Sequence, residues 1–197
     1  PSMSDLLTQL YAARDFLRGW CPETPSIALV LGSGYATVAR ELSESTAQVI
    51  PYQEIPYFPR CTNPSHPGKL RVGELWGHRV AILQGRIHTY EGYRADQVVF
   101  PVRALALWGV KTFLLTNAAG AIHPDHRTGQ FMALSDHINL LGQNPLNGEN
   151  LHELGTRFPD MGRLYDRELL EAAGTAAARA DVVLHKGGVR RYAGAQL

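Results

Sequence analysis

Residues 83–93, LQGRIHTYEGY, concentrate an arginine, a histidine, two tyrosines and a glutamate directly behind an apolar segment. Arg86 offers a planar fork of N–H donors suited to an oxyanion such as phosphate, and His88 adds a donor from the same loop. A second candidate is Gly32-Ser33-Gly34, which ends the apolar run SIALVL. Glycines let backbone amides approach an anion without a Cβ in the way, a helix N-terminus behind them adds partial positive charge, and the Ser33 hydroxyl adds a donor. A third is Ala118-Ala119-Gly120, behind KTFLLTN. Ligands of α/β sheets gather where strands end at their carboxyl edge, so these three strand ends could together hold one inorganic phosphate.

The elements that must position these loops follow from periodicity. Ser4 is placed to cap a helix whose Leu6, Leu7, Leu10, Tyr11, Leu17 and Trp20 recur at helical spacing, ending near Gly19 and Pro22. SIALVL reads as a strand, GSG as a tight loop and ATVARELS as a helix. The runs 70–76 and 79–84 flank Gly77-His78 as a hairpin. Residues 95–110 read as an amphipathic helix kinked at Pro101, 111–117 as a buried strand, GQFMALSDHINL as another strand, and 166–180 as a helix leading into DVVLH. Trp76 and Trp108 are assigned to the core. This alternation predicts an α/β fold, a single domain over 1–197 with a mixed, largely parallel sheet flanked by helices. The Gly-, Asn- and Pro-rich stretch 142–165 reads as a long ordered loop, a kind of segment that is often functional.

Bulk properties narrow the partners. Nineteen basic against eighteen acidic residues leave a net charge of +1, so nothing points to nucleic acid or an anionic membrane, and any anion must be bound locally. Cys21 and Cys61 show neither a disulfide framework nor metal-type spacing. With no signal-like N-terminus and no membrane-length apolar run, a soluble cytoplasmic protein is expected. Pro1 and Ser2 ahead of Met3 read as residues added in cloning.

Taken singly, each signal has a plainer explanation. GSG after a strand is common turn chemistry, and Tyr35 and Ala36 break the dinucleotide-binding pattern. Arg86 and His88 could simply pair with surface carboxylates, and NAAG could cap a helix. His123 and His126 with Asp125 could chelate a metal, but spacing assigns no third ligand, so no metal is expected. A Ser-His-Asp hydrolase would want a GxSxG elbow, which LGSGYA does not supply.

A string of longer motifs goes further. LGSG, IPYFPRCTNPSHPGKLRVG, GRIHTYEGY, FPVRALALWGVKTFLLTNAAGAIHP, SDHINL, GQNPLNG, and RFPDM followed by YD stand in one order from about Ile27 onward. In order and spacing they resemble the purine nucleoside phosphorylases of the low-molecular-mass, trimeric type. Methylthioadenosine phosphorylases share that fold but differ around the arginine and histidine of GRIHTYEGY.

The resemblance implies roles residue by residue. Ser33, Arg86 and His88 would hold phosphate with the backbone amide of Ala118. His66, in a loop over the phosphate, would orient or deprotonate it; by itself it reads as a solvent-facing loop histidine. Tyr90 would pack on the ribose, and Glu91 would order the loop and His88. Phe158 would be lent to the sugar pocket by a neighbouring subunit of a homotrimer, where the plainer reading is a buried anchor. The implied reaction is phosphorolysis of purine (deoxy)ribonucleosides to free base and (2-deoxy)ribose 1-phosphate, with inorganic phosphate as co-substrate and no cofactor or metal.

Departures from the family pattern set a second expectation. Members run on through a purine-binding glutamate, a further strand and C-terminal helices, all beyond Leu197. Tyr35 and Ala36 replace the usual leucine and glycine, and Ala195 a usual proline. The sequence therefore reads either as part of a longer enzyme or as a short, inactive relative that keeps only phosphate binding or oligomerisation.

Overall fold

The computed structural model describes residues 3–32, 34–42, 47–62 and 67–192. Within it the chain forms two compact units, one of Pro1–Ala118 with Pro145–Thr156, the other of Ala119–Asn144 with Arg157–Leu197.

Helix α1, Met3–Trp20, opens the first unit, starting one residue ahead of the expected cap. Five strands follow in chain order: β1 Ile27–Leu31, β2 Gln48–Pro51, β3 Lys69–Leu75, β4 His78–Gln84 and β5 Thr112–Leu115. They form one sheet in the order β2-β3-β4-β1-β5. The β2–β3 and β3–β4 pairs are antiparallel, whereas β1 runs parallel to both β4 and β5, with Leu31 opposite Gln84 and Val30 opposite Leu115. That register brings the carboxyl ends of β4, β1 and β5 to one edge.

Apolar runs in β1 and β4 are continuous because both faces of the sheet are covered. Ala28, Val30, Ala81 and Leu83 pack with Leu10, Leu17, Leu105 and Trp108 of the helices on one face. Val80, Ile82 and Leu31 pack on the other face with Ala39 and Leu42. The helical run 95–110 divides into α2, Ala95–Val98, and α3, Phe100–Trp108, with Pro101 in the first turn of α3, where its missing N–H costs no helical bond. Arg103 reaches back to donate to the Pro145 carbonyl at 2.9 Å, and Leu151 and Leu154 rest on the core. This attaches 145–156 to the first unit.

Three local expectations change. The described part of ATVARELS, residues 36–42, makes only a three-residue 3-10 turn, Val38–Arg40, closed by i to i+3 bonds such as Val38 N–H to Tyr35 O at 3.1 Å. Such a short segment, with β-branched Thr37 and Val38, is a poor helix nucleus, and burying Ala39 and Leu42 needs only one turn. Trp76 is not core. It stands 76% exposed at the hairpin tip, where Trp76 (φ 50°) and Gly77 (φ 80°) form the two-residue loop with Leu75 opposite His78. Two successive positive φ angles are the geometry of a type I′ turn, which fits the twist of the flanking strands. Strand β5 is not buried either: it lies at the edge of its sheet, and Leu114 and Leu115 are 47% and 65% exposed.

In the second unit, β6, Phe131–Leu140, pairs in parallel with β7, Leu184–Tyr192, with a register shift between Leu134 and Asp136. Helix α4, Arg167–Arg179, connects them, and its N-cap Asp166 accepts from the Leu169 amide at 3.0 Å. Across both units three of the five strand pairings are parallel, the mixed, largely parallel α/β arrangement expected.

Candidate active site

The site starts where β1 ends. Gly32 donates its amide to Thr116 Oγ1 at 2.9 Å, and the same hydroxyl donates to the Val30 carbonyl at 3.1 Å, so the chain leaving β5 pins the chain leaving β1. A side chain has no room at Gly32: a Cβ there would stand 2.6 Å from the Thr116 carbonyl oxygen, 2.8 Å from Arg86 Nη2 and 2.9 Å from Asn117 Cα. The lack of a Cβ is what lets the Arg86 guanidinium lie against the Gly32 backbone. Thus Gly32, Arg86 and the Thr116-Asn117 segment, each behind a different parallel strand, meet at one point. Ala118 follows at once and is exposed.

Around Arg86 the loop is stitched to its neighbours. Tyr52 donates its buried hydroxyl to the Gly85 carbonyl at 2.9 Å, and the Cys61 thiol reaches the Arg86 carbonyl at 3.7 Å. Burial first, then the Glu91 carboxylate, push that thiol up to about 11, which makes Cys61 a packing residue rather than a nucleophile at neutral pH.

His88 is held from below by Glu91. Its amide donates to Glu91 Oε2 at 2.6 Å, and its ring Nδ1 lies 3.1 Å from the same oxygen. The Glu91 side chain is 2% exposed and that of His88 16%, so this is not the surface pairing a polar turn would make. Glu91 Oε1 accepts from both the amide and the hydroxyl of Thr62. Burial alone would push the Glu91 carboxyl up, but the donors of Thr62 and His88 outweigh it and hold the carboxyl below its ordinary value. The same Glu91 oxygen faces both the amide and the ring Nδ1 of His88, which fixes the orientation of the ring. Tyr90 stacks on the His88 ring with 4.8 Å between ring centres and is itself 53% exposed.

The remaining expected residues divide. Ser33 and His66 lie outside the described residues. Phe158, in the second unit, is 87% exposed, which rules out the buried-anchor reading. Among the described residues no helix N-terminus follows Gly32, because a 3-10 turn stands where the helix was expected, and NAAG caps no helix. The His126 ring meets His123 at 5.2 Å and His185 at 4.1 Å, yet among the described residues no group of His, Cys, Asp or Glu has the geometry to hold a metal. Two residues passed over in the sequence, Thr62 and Thr116, carry central hydrogen bonds. Their only signal was a polar β-branched residue at a strand or loop end, which is too common to single out.

Residues 26–190 match the family model described as the phosphorylase superfamily. The chain belongs to the purine nucleoside phosphorylases of this superfamily. Purine nucleoside phosphorylase 1 of Geobacillus stearothermophilus is 44% identical over 166 residues, covering 84% of this chain and 60% of that protein. Its namesake in Bacillus subtilis is 41% identical over 175 residues, 89% of this chain and 64% of that one. Among solved structures, isoform 2 of the Schistosoma mansoni purine nucleoside phosphorylase, in complex with cytosine and ribose-1-phosphate, superposes with a TM-score of 0.88 at 35% identity. That match covers 96% of this chain and 68% of the schistosome chain. The chain thus spans somewhat under two thirds of the length of these two bacterial phosphorylases. No helix among the described residues is long and apolar enough to cross a membrane.

Proposed function

We propose that the protein carrying this sequence catalyses the reversible phosphorolysis of purine (deoxy)ribonucleosides to free purine and (2-deoxy)ribose 1-phosphate. The observation that carries this reading is the Arg86 guanidinium lying against the Gly32 backbone at the joint carboxyl edge of β4, β1 and β5, with His88 fixed beside it by Glu91. The schistosome relative in complex with ribose-1-phosphate supports it.

Breaking a ribosyl–purine bond develops positive charge on the sugar and negative charge on the departing base. A phosphate dianion held under the sugar by Arg86, His88, the Ser33 hydroxyl and the Ala118 amide stabilises the first and then adds to the anomeric carbon. His66 orients or deprotonates that phosphate, and Tyr90 packs on the ribose. Phe158 reaches the sugar pocket of a neighbouring subunit in a homotrimer. In this reading the whole chain is one nucleoside phosphorylase-like domain of a cytoplasmic enzyme that uses neither cofactor nor metal.

Incubation with inosine and inorganic phosphate, with hypoxanthine followed by its absorbance, tests the reading. Base release that saturates with phosphate is expected. Release independent of phosphate, or none above a Ser33→Ala, Arg86→Ala control, overturns it.

A further inference from the structure

Glu91 holds both the amide and the ring of His88, and what fixes Glu91 comes from another segment of the chain. Its two oxygens divide their work: Oε2 takes the amide and ring of His88, while Oε1 takes the amide and hydroxyl of Thr62. The segment Arg60-Cys61-Thr62 is itself tied to the same loop twice more, by Tyr93 Oη donating to the Arg60 carbonyl at 2.9 Å and by the Cys61 thiol on the Arg86 carbonyl. A buried carboxylate with each oxygen doubly satisfied has one orientation, and losing a donor leaves a lone pair without compensation.

We infer that Thr62 is a positioning residue of the phosphate site, whose hydroxyl sets the orientation of Glu91 and through it the ring of His88. The inference rests on the proposed phosphate role of His88. Thr62 touches no reacting atom. Among the described residues the titratable groups facing Glu91 are His88, on its own loop, and Cys61, on the facing segment. Cys61 stays a neutral thiol at neutral pH, so the hydroxyl and amide of Thr62 are what that segment offers the carboxylate. Removing the hydroxyl takes away a bond to the ionised form and moves the Glu91 titration upward.

Two measurements on Thr62→Val and Thr62→Ser test this. One is the carboxyl 13C titration of Glu91, assigned with Glu91→Gln; the other is binding of inorganic phosphate by calorimetry at neutral pH. In Thr62→Val the Glu91 midpoint rises and phosphate binds about tenfold more weakly, whereas Thr62→Ser, which restores the hydroxyl, matches the wild type in both. An unmoved Glu91 midpoint in Thr62→Val, a moved midpoint with wild-type phosphate affinity, or a Thr62→Ser variant as impaired as Thr62→Val overturns the inference. A wild-type protein that binds phosphate but does not cleave inosine, with Thr62→Val still weakening that binding, refutes phosphorolysis and leaves the role of Thr62 standing.

Discussion

At the scale of single residues, the site depends on one missing atom and one ionised group. Gly32→Ala would drive a Cβ into the Thr116 carbonyl and the Asn117 backbone, atoms unable to swing aside. We expect a loss of about 1–3 kcal/mol in urea unfolding together with weaker phosphate binding as Arg86 is displaced. Glu91 supplies a pH signature. Its carboxyl is held below the ordinary value of 4.5, so its contribution to stability is complete above that value and is lost as the pH falls through the lower folded value. Glu91→Gln should therefore flatten the fall in stability over that acid range, as read by denaturant midpoints against pH. Arg86 and His88 stood out in the sequence because charged groups cluster rarely behind a strand, and the contact of Glu91 with His88 was what the family resemblance implied. Thr62 and Thr116 were not, since the value of a threonine hydroxyl depends on which distant chain passes within 3 Å of it.

Elements show where periodicity informs and where it misleads. Helix α1, strands β1 and β4 and Trp108 in the core all follow from apolar spacing, and the interruption of the helical run near Pro101 follows from the proline. Trp76, by contrast, was assigned by hydrophobicity to the core, yet a two-residue hairpin loop fixes it at φ 50° in solvent. That position favours asparagine before Gly77. We predict that Trp76→Asn stabilises the protein by about 1 kcal/mol, measured by chemical denaturation. The run 36–43 carried a helical pattern that one turn suffices to use, and KTFLLTN read as buried because a sequence does not reveal that a strand will end a sheet. Leu105→Ala, in the packing of α3 against α1 and the sheet, should cost about 2–5 kcal/mol.

Over the whole molecule, the parallel register of β4, β1 and β5 is what brings three unremarkable loops together, since it delivers their carboxyl ends to the same edge. Fold class and family were readable from element order and from long motifs, while the junction of Gly32, Arg86 and Thr116 required the register itself. The central claim is that this junction binds the phosphate that attacks the sugar. Phosphorus-31 NMR of the protein with inosine and inorganic phosphate tests it most directly. The account predicts that the orthophosphate signal declines as a ribose 1-phosphate signal grows, and that Arg86→Ala slows this at least about a hundredfold. Base release without a phosphate ester, or turnover unchanged by Arg86→Ala, would contradict it.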